Sequence, residues 1–167
     1  MPANHNIPDK AYLKAIFLHH LNRIYNGKCF LRKSLAHLIS LASFEGLRLA
    51  MQEFGGDVQS QIDRMEKIYA IINESSKDLE CNPITSIIKD EFCIDKDQTM
   101  PVLNDLDLIL YVQLLEHVNI TSYRMLIMIA KMLKYDEAKQ LLIENFDESA
   151  DNDKLFQLIA KEYITKD

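Results

Sequence analysis

Four polar interruptions in otherwise apolar stripes carry most of the chemical content of this sequence. Lys28 breaks a run of Leu, Ile and Phe spaced three and four residues apart, and Asp57 follows Phe54-Gly55-Gly56 in a second such run. Glu116 and Asn119 interrupt a third, Glu148 and Asn152 a fourth. An ionised group on a core-facing stripe is costly unless it is paired, so these positions have to answer one another across the core. Two chemistries would let them. Carboxylates and histidines converging from four helices can hold a pair of metal ions. Alternatively an amine supplies the positive charge itself. The expected arrangement is then a core cluster of Lys28, Glu116, Asn119, Glu148 and Asn152, with the Lys28 ammonium set against Glu116 and Glu148. The duller alternative lets Lys28 snorkel to water along its aliphatic stem.

The other titratable and aromatic residues have structural readings. His19, His20 and His37 lack the spacing of a metal pair and read as surface histidines. His117 follows Glu116 directly and, on a helix, points about 100° away from it. Tyr123 lies on the same stripe as Glu116 and reads as a core aromatic with a hydrogen-bonded hydroxyl. Met125, Met128 and Met132 have helical spacing and read as packing, or as a partner surface. No Ser/His/Asp order, Gly-rich phosphate loop, HExxH or calcium loop is present, so no catalytic site is nominated.

The elements that position these residues are helical. The first helix opens at Pro8–Asp9 and carries Leu13, Ile16, Phe17, His20, Leu21, Ile24, Lys28, Leu31, Leu35, Leu38 and Ala42 on one stripe,. Ser43-Phe-Glu-Gly46 ends it, with Gly46 as punctuation. The second runs from Leu47 to Ile72, and its Gly55-Gly56 pair predicts a kink, a frayed segment or a close packing contact. A shorter helix over 83–92 uses Ile84, Ile87 and Ile88 to cover one end of the molecule. Pro101 opens the third long helix, 102–134. The fourth starts near Asp136 and runs toward Tyr163 through Ala138, Leu141, Asn145, Glu148, Asn152, Leu155 and Ile159. Residues 8–76 therefore form one antiparallel hairpin and 102–164 another, joined by a long connection over 77–101, in a single domain spanning 1–167.

Composition agrees with this. The chain has 167 residues, 48% hydrophobic and 26% charged, with only 4 Gly and 4 Pro, which suits long helices and short turns,. A net charge of -6 argues against nonspecific binding to nucleic acid or to anionic membrane,. Cys29, Cys81 and Cys93 are sparse and odd in number, as expected of reduced thiols,. With no leader-like basic and apolar start and no apolar run of membrane-spanning length, the expected location is the cytoplasm.

The stretch from Phe17 to Ile68, FLHHLNRIYNGKCFLRKSLAHLISLASFEGLRLAMQEFGGDVQSQIDRMEKI, resembles the first hairpin of the YciE/YciF-type bacterial stress proteins. Residues 114–160 resemble the second hairpin. Glu116-His117 followed by Tyr123, and Lys134-Tyr135 leading into Leu141-Leu142, are the most specific pieces. The resemblance covers about Ile7 to Ile159 and implies an all-α, ferritin-like four-helix bundle. It also implies a metal site, most of which is missing here. Lys28 stands where the family has an acid; Phe54, Gly56 and Asp57 stand where it has a His and a pair of Glu. Asn119 replaces an acid, and the companions of Glu148 are Ser149 and Asn152. The reading that follows is a non-enzymatic, stress-linked protein that holds no cofactor and pairs as a homodimer through an apolar helix face. The alternative is a reduced iron or manganese site built on Asp57, Glu116, Glu148 and His117, with ferroxidase-like or peroxide-consuming activity.

Overall fold

In the computed structural model, which describes residues 9–79, 81–89 and 94–165, five helices follow one another: α1 (Lys10–Leu41), α2 (Glu45–Ile71), α3 (Pro83–Lys89), α4 (Pro101–Leu133) and α5 (Asp136–Thr165). Their ends follow local chemistry. Asp9 caps α1 by accepting a 2.8 Å hydrogen bond from the Tyr12 N–H, satisfying one of the free donors of the first turn,. Pro101 opens α4, where a missing N–H costs nothing,. Asn73 and Lys134 close α2 and α4 in the left-handed region, at φ 54° and 60°. Each lets the following N–H reach back, Glu74 to the Tyr69 carbonyl and Tyr135 to that of Ala130, both at 2.9 Å,.

The turn between α1 and α2 is shorter than expected. Gly46 lies inside the first turn of α2, and a Cβ there would come within 2.9 Å of the Phe44 ring. The glycine serves a close approach rather than a break. The Gly55-Gly56 pair does not fray the helix, because α2 passes through it without a break. A Cβ at Gly55 would make an ordinary 3.5 Å contact with Leu35, and one at Gly56 would meet nothing within 4 Å.

Four long helices pack in a ring, α1 on α2, α2 on α5, α5 on α4 and α4 on α1. The residue pairs that meet give each direction. Tyr25 meets Glu66 and Arg32 meets Gln59, so α1 and α2 are antiparallel. Asp105 meets Tyr163 and Gln113 meets Asp153, so α4 and α5 are antiparallel as well. Phe17 packs on Tyr135 just past α4, whereas Ser43, just past α1, meets Asp105, so α1 opposes α4. It follows that α2 and α4 run in the same direction, and the segment between them has to travel back along the molecule. A 27-residue helix is about 40 Å long,, which is why the connection is long.

α3 lies on that return path, and its position differs from expectation. It packs along the seam of α1 and α4 rather than over an end. Ile84 and Asn82 press onto the middle of α1 at Gly27, where an added Cβ would sit 2.7 Å from each. Here glycine is a docking surface for a second backbone. Of the expected 83–92 helix, residues 90–93 lie outside the described residues, and so does Cys93; Cys29 and Cys81 are free thiols.

The stripes on α1, α2 and α4 fall inward as spaced in the sequence, except that Ile16 and His20 on α1 are only half-buried. On α5 the buried set is Ala138, Leu142, Asn145, Ser149, Asn152 and Phe156, one residue on from the expected Leu141, Glu148 and Leu155. Met128 and Met132, expected as packing, are 60% and 50% exposed. No helix among the described residues is long and apolar enough to cross a membrane.

Candidate functional site: a polar layer at mid-molecule

Halfway along the ring the apolar core gives way to Lys28, Gln61, Glu116, Asn119, Asn145, Ser149 and Asn152, all buried. Phe17, Leu21 and Met65 fill the core on one side of this layer, Phe54, Leu38 and Phe156 on the other. The helices are thus fixed by apolar packing on both sides, and the polar side chains have no freedom to drift to water.

Lys28 does not snorkel. Its side chain is 0% exposed, and its amine lies 3.9 Å from Glu116 Oε1, itself on a fully buried side chain. The same Oε1 accepts a 2.9 Å hydrogen bond from Asn119 Nδ2, one turn along α4. Two unit charges about 4 Å apart attract by about 4 kcal/mol at an effective dielectric of about 20. Withdrawing each ion from water costs several kcal/mol, so burial prevails. It pushes the Lys28 amine below the usual lysine range, against the pull of Glu116, Glu148 and Asp57. Burial likewise raises the Glu116 carboxyl, against the help of Lys28, Ser149 and Asn119.

Glu148 takes a different place from the one its spacing suggested. One residue off the buried stripe, it sits at the rim and is held by Arg64 through two hydrogen bonds, 2.9 and 3.0 Å. Arg64 also reaches Glu144 at 3.2 Å and the Asn145 carbonyl oxygen at 3.1 Å. Glu148 therefore acts on Lys28 through its field while Arg64 holds its oxygens. Ser149 faces the interior in its stead. Asp57 is half-buried beside Asn152, its carboxyl raised by burial and then by Glu148 and Glu53, with Asn152 opposing. His117 points outward and meets Asp153 at 3.3 Å.

Tyr123 has the hydrogen-bonded hydroxyl expected of it; what sequence reasoning missed is the pairing of Gln61 with Tyr123 and Ser149. Tyr123 donates to Gln61 Oε1 at 2.9 Å, and Gln61 Nε2 donates to the Ser149 hydroxyl at 3.4 Å. Asn145 Nδ2 donates to the Gln61 carbonyl at 3.4 Å. The available signal was Gln61 sitting between apolar neighbours on the α2 stripe, one helical turn past Asp57. Sequence reasoning also missed Asp105, a second fully buried carboxylate, near the start of α4.

The donors do not suit a metal pair. Among the described residues no group of three or more His, Cys, Asp or Glu side chains converges closely enough to hold an ion. The four expected candidates have other partners: Glu116 faces an ammonium, Glu148 a guanidinium, His117 faces outward, and Asp57 is half-buried beside Asn152. Two surface clefts of about 340 Å³ lie elsewhere, against α1 and the residues leading from α2 into α3.

The chain is similar to proteins already known. It is 27% identical over 144 residues to Protein YciF of Escherichia coli strain K12, covering 84% of this chain and 86% of that one. It superposes on the crystal structure of the E. coli stress protein YciF with a TM-score of 0.85 at 26% identity, over 93% of this chain and 98% of the other. The structure of YcfI from Rhodopseudomonas palustris, 21% identical, matches with a TM-score of 0.82 over 92% and 96% and speaks to the fold alone. The expected kinship is therefore correct. A family model described as "Domain of unknown function (DUF892)" matches residues 12–167, nearly the whole chain, and the chain belongs to that family.

Proposed function

We propose that this protein is a ferritin-like four-helix bundle working as a non-enzymatic scaffold, in which an internal ion pair takes the place of a metal site. The observation that carries this reading is the Lys28 amine, 0% exposed and 3.9 Å from Glu116. A fixed ammonium beside the central carboxylate repels a metal cation and supplies the neutralising charge itself. The antiparallel ring of α1, α2, α5 and α4, with its full-length connection, supports the ferritin-like assignment. The stress-protein designation of the E. coli relative supports a stress-linked role, and a cytoplasmic location is part of the same proposal.

Metal analysis tests this directly. Protein purified without chelators, then incubated with ferrous iron or manganese and desalted, is expected to retain far less than one equivalent. Near-stoichiometric retention would overturn the reading in favour of a reduced metal site.

The scaffold is proposed to act as a homodimer through α4. Leu103, Leu110, Leu114, Met128 and Met132 are between 42% and 60% exposed and line one outward row, opposite the buried stripe of the same helix. A helix apolar on both faces is ordinarily covered on both. Asp107 lies toward the N-terminal half of α4, Arg124 and Lys131 toward the C-terminal half. An antiparallel second copy would bring opposite charges together. Leu114→Glu with Met128→Glu is expected to yield a folded monomer by sedimentation; an unchanged mass would place the interface elsewhere.

A further inference from the structure

Four buried polar atoms of the central layer lack a hydrogen-bond partner: Lys28 Nζ, Asn152 Nδ2, Glu116 Oε2 and Asn119 Oδ1. Such orphans are rare in folded proteins and mark a place where something polar belongs. All four belong to the one polar layer, on α1, α4 and α5. Asn119 is bonded to the other oxygen of Glu116, Lys28 stands 3.9 Å from that oxygen, and Asn152 is one turn along α5 from Ser149, which helps hold Glu116 charged. A separation of 3.9 Å is beyond hydrogen-bond reach but within the span of a shared intermediary.

The signs of the four atoms select the ligand. Two are donors, on Lys28 and Asn152, and two are acceptors, on Glu116 and Asn119. A cation in their midst would meet an ammonium and an amide NH2. An anion would meet a carboxylate and an amide oxygen. A neutral molecule with two donors and two acceptors satisfies all four. The atoms are closed to solvent, so anything larger than a single small molecule would have to part the helices.

We propose that the layer binds one structural water molecule, which accepts from Lys28 Nζ and Asn152 Nδ2 and donates to Glu116 Oε2 and Asn119 Oδ1. Buried waters with three or four such partners are integral parts of a fold. This deepens the metal-free reading and rests on it: the cluster would be ion pair plus water, together occupying the space between four helices that a hydrophobic pair would otherwise have to fill.

A high-resolution crystal structure grown without added metal, with anomalous data, tests the proposal. The expected result is one non-anomalous peak about 2.7–3.2 Å from at least three of the four atoms. In solution, oxygen-17 relaxation dispersion is expected to count one long-lived water fewer in Asn119→Leu than in the wild type. Should that variant fail to fold, the Lys28→Met/Glu116→Leu pair serves, with the same loss expected. An anomalous transition-metal peak at the position would sink both the water and the metal-free reading. A metal-free but dry layer, with Lys28 closed directly onto Glu116 and no long-lived water lost in either variant, would sink the water alone.

Discussion

Two carboxylates on α4, eleven residues apart, are both fully buried and are treated in opposite ways. Asp105 Oδ1 accepts from the Ser43 N–H at 2.8 Å, and its Oδ2 accepts from the Ser43 hydroxyl at 2.5 Å and from the Tyr163 hydroxyl at 2.9 Å. Among the described residues no cation pairs with it, and these hydrogen bonds hold it in place instead, since bonds to a charged acceptor are strong. It knots the α1–α2 turn, the start of α4 and the end of α5 together, and Phe44 stacks on Tyr163 beside it at 4.7 Å. Glu116 has one amide bond, a distant ammonium and an orphan oxygen. The contrast separates a carboxylate whose surroundings were built around it from one whose surroundings fit a different occupant.

The difference can be broken experimentally. The largest effect is expected at the ion pair. Lys28→Met or Glu116→Leu alone leaves an uncompensated buried group and should cost about 3–5 kcal/mol, whereas the double variant should return to within about 1 kcal/mol of wild type or exceed it. Urea titration of the three variants checks this; a double variant as unstable as the singles would show the pair to be indispensable to the fold. Asp105→Asn should cost about 1.5–3 kcal/mol, because an amide cannot accept at both ends, and no second-site apolar change should restore it.

Two glycines on neighbouring helices sharpen the comparison further. Gly27→Ala would drive a methyl into Asn82 and Ile84 and is expected to destabilise by about 1–3 kcal/mol, loosening α3,. Gly56→Ala, with open space around it, should stabilise by about 1 kcal/mol,. Opposite signs in thermal melts are the expected outcome.

The smallest effect concerns pH. The Asp57 carboxyl is raised in the folded protein, mainly by burial. The native state therefore takes up this proton before the unfolded chain does. Its contribution is fully present below the ordinary aspartate value of 3.8 and is lost as pH rises through the higher folded value,. Asp57→Asn should therefore remove under about 1 kcal/mol of pH dependence on that acidic limb, leaving the neutral-pH fold intact. Equilibrium unfolding at a series of acidic pH values would reveal it, and an unaltered slope would show Asp57 to be as free as an exposed acid.

Much of this was legible beforehand because helical periodicity reports which side of a helix is dry. The stripes on α1, α2 and α4 needed no tertiary information: Lys28, Glu116, Asn119 and Tyr123 were placed inward by counting threes and fours, and all are buried. On α5 the polar run Asn145-Phe-Asp-Glu-Ser-Ala-Asp-Asn152 offers acids on several faces, so periodicity alone could not separate Glu148 from Ser149. Arg64, from α2, resolves it by drawing Glu148 to the rim. The glycines misled for a related reason. A glycine's meaning depends on what approaches it: Gly27 is pressed by another element, while Gly56 is met by none.

The sequence by itself determined the helices, their caps, the pairing into two hairpins and the presence of charged groups in the core. These follow from backbone chemistry and from apolar spacing, both local along the chain. Only the tertiary structure decided which oxygen faces which nitrogen: that Lys28 answers Glu116, that Arg64 claims Glu148, and that Ser43 and Tyr163 satisfy Asp105. Those partners are far apart in sequence, from 58 residues for Tyr163–Asp105 to 88 for Lys28–Glu116, and their choice rests on distances of a few ångströms that no linear pattern encodes.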